Sequence, residues 1–153
     1  MGLAFRNTPD GYRLEVSRRM DAPPDVLWDL LTDTTRWPEW GPSVRAVECD
    51  RRYVEAGTRG RVQVTEAAGG VWVPFVVTSC ADYRWTWEVG APTVALVRNV
   101  LDLSPTVPAT GHRVEPVGGG CRVVFEVPPL AAGYAVVCRR ALATLEEMAR
   151  AAT

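Results

Sequence analysis

Several absences in the sequence narrow the classes of protein that it can encode. Its 153 residues include neither lysine nor isoleucine, a single histidine, and four cysteines without any Cys-x-x-Cys pair. One histidine and dispersed cysteines form no recognisable zinc set, so we expect neither a bound metal nor a cofactor. The cysteines are expected to be free, buried thiols in a reducing compartment.

Long apolar runs and an excess of either charge are also missing. No stretch approaches the roughly 20 apolar residues that a membrane span needs. The N-terminal residues lack the basic and apolar regions of a secretory signal. A formal net charge of −1 provides no overall field to attract nucleic acid. We therefore expect a cytoplasmic protein with no membrane span and no nucleic-acid partner.

The residues that are present have the composition of one globular domain covering residues 1–153. Hydrophobic residues make up 47% of the chain and charged residues 23%, as in ordinary soluble proteins. A chain of this length buries roughly 68–70% of the surface that it exposes when unfolded. We find no internal repeat and no linker.

The first half of the sequence predicts a strand, two short helices and a hairpin. Alternation of apolar and polar residues over 12–20 indicates a half-buried strand. An amphipathic helix follows over 25–31, and the aromatic stretch Trp37–Trp40 predicts one further helical turn. Strands over 43–51 and 57–66 are then expected to pair as a hairpin.

The second half predicts more antiparallel strands and a closing helix. Strands are expected over 71–81, 84–89, 112–117 and 121–127. Apolar residues then recur at helical spacing from 129 to 150; they are Leu130, Tyr134, Val137, Ala141, Leu145 and Met148. The resulting order of elements is typical of an α+β domain with an antiparallel sheet of about seven strands.

Two features depart from a regular series of hairpins. Pro74 lies inside a predicted strand, which favours an edge or a bulge over the middle of a sheet. Residues 90–111 separate two strands by far more than the usual hairpin loop of roughly 2–5 residues. This segment is too apolar to be plainly disordered, so we expect either a functional lid or a part of the core.

The sequence resembles the polyketide cyclase/dehydrase-like members of the START-like (SRPBCC) superfamily in three stretches that occur in the same order. These are VLWDLLTDTTRWPEW, RWTWEV and HRVEPVGGGCRVVFEVP. The resemblance covers residues 12–149 and implies a helix-grip fold, in which a curved sheet wraps around the C-terminal helix and encloses a cavity. The chain departs from relatives at Cys121, where threonine is frequent. It departs again in the long segment after Val89, which would lie near the cavity mouth as a lid.

The cavity implied by this resemblance predicts a protein that binds a small hydrophobic or aromatic molecule. One alternative is a catalytic polyketide aromatase or cyclase, in which the cavity folds a reactive chain and His112 or an arginine polarises a carbonyl. A second alternative is a module for a protein partner, with a collapsed cavity. The fold alone does not choose among these functions.

Two groups of aromatic residues are the first candidates for the site. His112 alone has an unperturbed pKa near neutrality, so it is the candidate catalytic residue; otherwise it is a strand-end histidine bonded to a carbonyl or water. Trp85 and Trp87 supply flat walls for a ligand, or only core packing. Trp37 and Trp40 are expected to pack the short helices against the sheet.

The remaining candidates lie on a strand and on the closing helix. Arg59 and Arg61 share a polar strand face and could hold an enolate or carboxylate oxygen if that face is concave; otherwise they are solvated. Tyr134 and Cys138, one helical turn apart, and Phe75 complete the predicted ligand-binding residues.

Overall fold

The computed structural model describes residues 2–65, 70–90 and 107–153. The elements, in chain order, are β1 (Gly2–Thr8), β2 (Gly11–Met20), α1 (Pro24–Thr32), a 3₁₀ turn (Thr34–Arg36), α2 (Trp37–Trp40), β3 (Val44–Cys49), β4 (Arg59–Val64), β5 (Trp72–Ala81), β6 (Arg84–Val89), β7 (Val107–Val117), β8 (Gly120–Val127), a second 3₁₀ segment (Pro129–Tyr134) and α3 (Ala135–Ala152).

The eight strands of the described chain form one antiparallel sheet in the order β1-β2-β8-β7-β6-β5-β4-β3. The curved sheet packs its concave face on α3, whose buried residues recur at helical spacing; they are Cys138, Ala141, Leu142, Leu145 and Ala149. The helices α1 and α2 connect β2 to β3 and pack beside α3. The α+β helix-grip fold predicted from the sequence is therefore confirmed.

Strand register determines which side chains face the inside of the sheet. Val16 pairs with Phe125, Phe125 with His112, and His112 with Trp85, so these four residues form a row across β2, β8, β7 and β6. Residues paired across antiparallel strands point to the same face. All four are buried, so this row places His112 in the middle of the concave face.

The side chains of Trp37 and Trp40 cap the C-terminal end of α1. The last carbonyl groups of a helix have no partner within the helix and must find donors elsewhere. The indole nitrogen Nε1 of Trp37 donates to the Leu31 carbonyl at 2.9 Å, and that of Trp40 donates to the Leu30 carbonyl at 3.0 Å. Both indoles are buried, which confirms that these tryptophans pack the short helices against the sheet.

The N-terminal strand β1 was not predicted from the sequence. It raises the number of strands from about seven to eight and places the short helices after the second strand rather than the first. Its apolar residues Leu3 and Phe5 are both about half exposed, and β1 forms one edge of the sheet. A strand of this kind carries little of the burial pattern by which strands are recognised.

The closing helix begins later than predicted. Residues Pro129–Tyr134 form a 3₁₀ segment, and the α-helix starts at Ala135. Leu130 is fully exposed, so its assignment to the buried stripe was wrong. None of the helices in the described ranges is long and apolar enough to cross a membrane.

The long segment between the two strands is shorter than predicted, since β7 already begins at Val107. Of the lid expected at 90–111, residues 91–106 lie outside the described residues, and residues 107–111 belong to β7. Pro74 does lie in a strand with two neighbours, but pairing of β5 with β6 begins only at Phe75. At Pro74 the strand pairs with β4, and on the other side the Pro74 carbonyl accepts from the Gly90 N–H at 2.9 Å. The missing N–H therefore leaves this pair with one hydrogen bond instead of two. The expectation of an edge or a bulge at Pro74 was wrong, because β5 has a neighbour on each side and its irregularity lies between Val77 and Ser79.

Candidate functional site

A cavity of about 390 Å³ lies between the concave face of the sheet and the 3₁₀ segment before α3. Its walls are mainly apolar. Seven valines contribute to them from six strands: Val44, Val62, Val64, Val73, Val89, Val107 and Val127. Trp87 forms an aromatic wall, and Gly90 and Val107, the described residues that flank 91–106, lie at its border. We call this space the outer cavity.

A smaller compartment of about 30 Å³ adjoins the outer cavity on the side of His112. Its walls include the rings of Trp40, Trp85 and Phe125 together with Cys138 of α3. The residues that line both spaces are Ser43, Val44, Trp87, Thr110 and Tyr134. We call this space the inner compartment; its volume leaves room for only about one or two water molecules.

His112 lies within a cluster of aromatic rings. Its imidazole stacks on Trp85 with ring centroids 4.0 Å apart, and the rings of Phe125, Trp87 and Trp40 have centroids at 5.1, 6.1 and 6.4 Å. Only 3% of the residue is exposed. Burial lowers the pKa of His112 from 6.5 to about 3, although the main chain of Trp85 and the Glu126 carboxylate favour the proton. The imidazole is therefore neutral at pH 7.

A short chain of hydrogen bonds orients this imidazole. The indole N–H of Trp87 lies 3.3 Å from Thr110 Oγ1, which lies 3.0 Å from His112 Nε2. Because an indole nitrogen can only donate, the Thr110 hydroxyl accepts from Trp87 and has its own hydrogen free for Nε2. When Thr110 donates to Nε2, the imidazole carries its hydrogen on Nδ1. The buried Nδ1 has no partner that meets hydrogen-bond geometry in the described structure.

The hydroxyl groups of Ser43 and Tyr134 form a hydrogen bond at the boundary of the two spaces. Ser43 follows α2, and Tyr134 ends the 3₁₀ segment before α3. Burial raises the pKa of Tyr134, and the hydrogen bond to Ser43 opposes this only in part. The pair thus supplies uncharged hydroxyl groups to walls that are otherwise mainly apolar.

The structure brings most of the predicted site residues to these two spaces. Trp87 and Tyr134 line both, while His112, Trp85 and Cys138 line the inner compartment. Phe75 lies one layer behind, with its ring centroid 5.5 Å from that of Trp87. Their roles in binding or catalysis stay predictions.

Arg59 and Arg61 lie on the outer face of the sheet and are exposed. Arg61 pairs with Glu48 at 2.6 Å and lies over the Trp72 ring, 4.6 Å from its centroid. The intervening Gly60 faces inward, where an added Cβ would lie 2.9 Å from the Phe75 ring. The prediction that Arg59 and Arg61 bind ligand required their polar strand face to be the concave one. The structure places this face on the outside of the sheet, so the requirement is not met.

Cys138 has the chemistry of an inert thiol. Burial raises its pKa to about 12, so the reactive thiolate is absent at pH 7. Cys121 behaves similarly, since burial raises its pKa to about 11, with the charge of Arg19 acting in the opposite direction. All four cysteines are free, but Cys49 and Cys80 are only partly buried, contrary to the expectation of buried thiols.

Sequence reasoning did not identify Ser43, Thr110 or the cavity valines as site residues. Ser43 lies in the short connection between α2 and β3, where no periodic pattern of residues indicates its position. Thr110 falls within the stretch that was interpreted as an insertion, although its separation from His112 by one residue places both on the same strand face. The valines could have been found, because Val62 and Val64 alternate with polar residues along β4.

The fold and the site together define a helix-grip protein with an apolar cavity between its sheet and its C-terminal helix. Residues 12–151 match the family model described as polyketide cyclase / dehydrase and lipid transport. The chain belongs to this family.

Several solved structures share the fold. Protein Ms6760 from Mycobacterium smegmatis is 13% identical with a TM-score of 0.67, and the match covers 99% of this chain and 100% of that one. CalU16 from Micromonospora echinospora is 19% identical with a TM-score of 0.57, covering 97% and 87%. DynU16, a protein of the dynemicin biosynthetic locus, is 19% identical with a TM-score of 0.55, covering 86% and 46%. No curated protein matches the sequence.

Proposed function

We propose that the protein binds a small hydrophobic or aromatic molecule in the outer cavity. The observation that carries this proposal is the size and lining of the cavity. Its volume of about 390 Å³ falls within the roughly 300–1,000 Å³ of small-molecule sites. Its valines and Trp87 offer apolar contact, and membership of the family is consistent with a ligand-binding or cyclase-like role.

The chemistry of the walls indicates what drives binding. Transfer of apolar ligand surface from water to valine and tryptophan walls contributes about 25 cal/mol per Å². An aromatic ligand gains further from offset or edge-to-face contact with Trp87, by about 0.5–1.5 kcal/mol. We therefore expect affinity to rise with the apolar area of the ligand.

Native mass spectrometry of the purified protein, followed by mass analysis of extracted compounds, tests the proposal first. A retained apolar compound would identify the ligand class. An empty protein is then titrated with apolar fluorescent dyes. If no dye binds, the proposal fails and the alternative of a partner-binding module with a collapsed cavity is favoured.

A pair of valine variants tests whether any binding occurs in the outer cavity. Val89 lines the cavity, whereas Val76 lies on the outer face of the neighbouring strand, next to Glu88 in register. Val89→Trp fills part of the cavity and is expected to weaken dye binding at least tenfold, while Val76→Trp leaves it unchanged. Equal binding by both folded variants would place the dye elsewhere.

A polyketide aromatase or cyclase is a second candidate, which the environment of His112 favours. Its imidazole borders a compartment with little water, where a hydrogen bond to a polarised carbonyl is strong. The buried Nδ1 meets hydrogen-bond geometry with no described partner, although the main chain of Trp85 favours a proton on the ring. Because Nε2 is occupied by Thr110, the imidazole would act as a donor rather than as a general base.

Catalysis and binding can be separated with a linear poly-β-ketone thioester as substrate. If the protein is a cyclase, it changes the cyclised products seen by liquid chromatography–mass spectrometry, and His112→Phe loses this change while still binding apolar dyes. The same products with and without the protein would leave binding alone as its function.

A further inference from the structure

The described walls of the two spaces contain no charged side chain. Their side-chain hydroxyls are those of Ser43, Thr65, Thr110 and Tyr134, beside the neutral imidazole of His112. The indole N–H groups of the lining tryptophans are also uncharged donors, and that of Trp85 has no hydrogen-bond partner in the described structure. The outer face of the same strands carries charged side chains that pair with one another, as Arg61 does with Glu48. An ionised ligand group inside the cavity would therefore meet no described counter-charge.

This lining discriminates between neutral and ionised ligands. A carboxylate loses its hydration on entering an apolar space, and this loss is large unless a charge or several donors compensate. A neutral carbonyl loses far less and needs only one or two hydrogen bonds. The hydroxyls of the described walls can supply the one or two hydrogen bonds that a neutral carbonyl needs. They do not supply the charge or the several donors that a carboxylate needs.

The Ser43–Tyr134 pair is the best placed of these hydroxyl groups. Both residues line the outer cavity as well as the inner compartment, and their hydrogen bond joins the connection after α2 to the segment before α3. A hydroxyl rotates freely about its C–O bond and can donate to a new acceptor. A ligand oxygen near this pair could therefore accept from Tyr134 or Ser43 without displacing the backbone.

We propose that the cavity selects an uncharged ligand, an apolar ring system with a carbonyl-type acceptor oxygen, and that the hydroxyls of Ser43 and Tyr134 bind this oxygen. A carboxylate of the same size is excluded. The inference rests on the proposed function, because it requires that the ligand enters the outer cavity.

Equilibrium dialysis at pH 7 with three probes tests the charge preference. The probes are naphthalene, 2-acetylnaphthalene and 2-naphthoate; the last two share ring and size but differ in charge. We expect both neutral probes to bind, and 2-naphthoate to bind at least tenfold more weakly than 2-acetylnaphthalene.

A tyrosine variant tests the role of the hydroxyl pair. Tyr134→Phe removes one donor and is expected to weaken 2-acetylnaphthalene about fivefold, the effect of one neutral hydrogen bond, while naphthalene binding is unchanged. Tyr12→Phe is the matched control, since Tyr12 is exposed and stacks on Phe5 at the sheet edge.

The outcomes distinguish the inference from the proposed function. If 2-naphthoate binds as tightly as the ketone, the inference is overturned and the proposed function stands. If Tyr134→Phe weakens both neutral probes equally, the hydroxyl has no acceptor-binding role and that part of the inference is overturned. If neither neutral probe binds the wild-type protein, both the proposed function and the inference fail.

Discussion

The imidazole of His112 lies nearly parallel to the indole of Trp85, with an interplanar angle of 19° and ring centroids 4.0 Å apart. The two residues are direct partners across β6 and β7, so strand register brings the rings together. A register slip of one residue would turn one ring to the opposite face. This pairing encloses the titratable imidazole of His112 among aromatic side chains. Its protonation state is therefore the first property to measure.

We expect His112 to remain neutral in the folded protein throughout pH 5–8, because burial lowers its pKa to about 3. It is the only histidine in the chain, so its ring resonances can be followed by NMR without overlap. No titration should appear in this range. A midpoint near 6.5 would show that the ring is hydrated and that the inner compartment is open to water.

The same group should make stability depend on pH. The unfolded chain binds a proton at His112 with a pKa near 6.5 and the folded protein with a pKa of about 3. Between these values the unfolded state holds more protons, so the free energy of unfolding falls as the pH is lowered, by at most about 1.4 kcal/mol per pH unit.

His112→Phe provides the comparison for this prediction. Urea unfolding between pH 6.5 and 5 should show a steeper loss of stability for the wild type than for the variant, because contributions of the carboxylates cancel between the two. Above pH 7.5 the two curves should run parallel. Parallel curves down to pH 5 would contradict the burial of a neutral imidazole.

Trp37 and Trp87 are predicted to have different roles. Trp37 is buried, stacks on Trp85 at 5.3 Å and donates to the Leu31 carbonyl, so Trp37→Ala should lower the free energy of unfolding by about 3–5 kcal/mol. Trp87 lines the cavity, so Trp87→Ala should weaken dye binding more than Trp37→Ala does, after correction for the folded fraction.

Trp72→Ala serves as the control for these variants, because Trp72 contacts the Arg61 guanidinium on the outer face. It should leave dye binding unchanged. Equal losses of affinity in Trp37→Ala and Trp87→Ala would mean that the dye does not bind beside Trp87.

Glu126 on the outer face of the sheet holds two arginines and is predicted to be a major determinant of stability. It is buried and accepts from Arg84 at 2.7 Å and from Arg113 at 2.9 Å. Removing one partner of a buried ion pair leaves the other charges without compensation, so Glu126→Ala should cost about 3–5 kcal/mol in urea unfolding. Glu55→Ala, which breaks an exposed pair with Arg51, should cost at most about 1 kcal/mol. Equal effects would show that the Glu126 network is solvated.

Because Gly111 has no side chain, the side chain of Glu126 can lie against its backbone. An added Cβ at Gly111 would lie 2.7 Å from Glu126 Oε1, and the carboxylate cannot withdraw without losing its arginines. We therefore expect Gly111→Ala to lower the free energy of unfolding by about 1–3 kcal/mol. Gly118→Ala, where nothing lies within 4 Å of the added Cβ, should change it by less than about 0.5 kcal/mol. A neutral Gly111→Ala would mean that the network adjusts at little cost.

The sequence predicted correctly those strands in which the alternation of apolar and polar residues matches the burial of the side chains in the structure. Alternation along β6 and β8 placed Trp85, Val123 and Phe125 on one face, and all three are buried. The prediction failed where the sequence pattern and the burial of the residues disagree. Edge strand β1 exposes both Leu3 and Phe5, and Leu130 follows helical spacing although the chain there is a 3₁₀ segment in solvent.

By itself, the sequence determined the class of fold and the inward tryptophans of β6, because strand periodicity and helix spacing are local properties of the chain. The row that joins His112 to Trp85 and Phe125 depends on strand register. Only the tertiary structure decided that Arg59 and Arg61 lie on the outer face and that Thr110 orients His112. It alone brought the hydroxyls of Ser43 and Tyr134 together, 91 residues apart in sequence. Such contacts depend on how the curved sheet closes on α3, and no local pattern of residues encodes that closure.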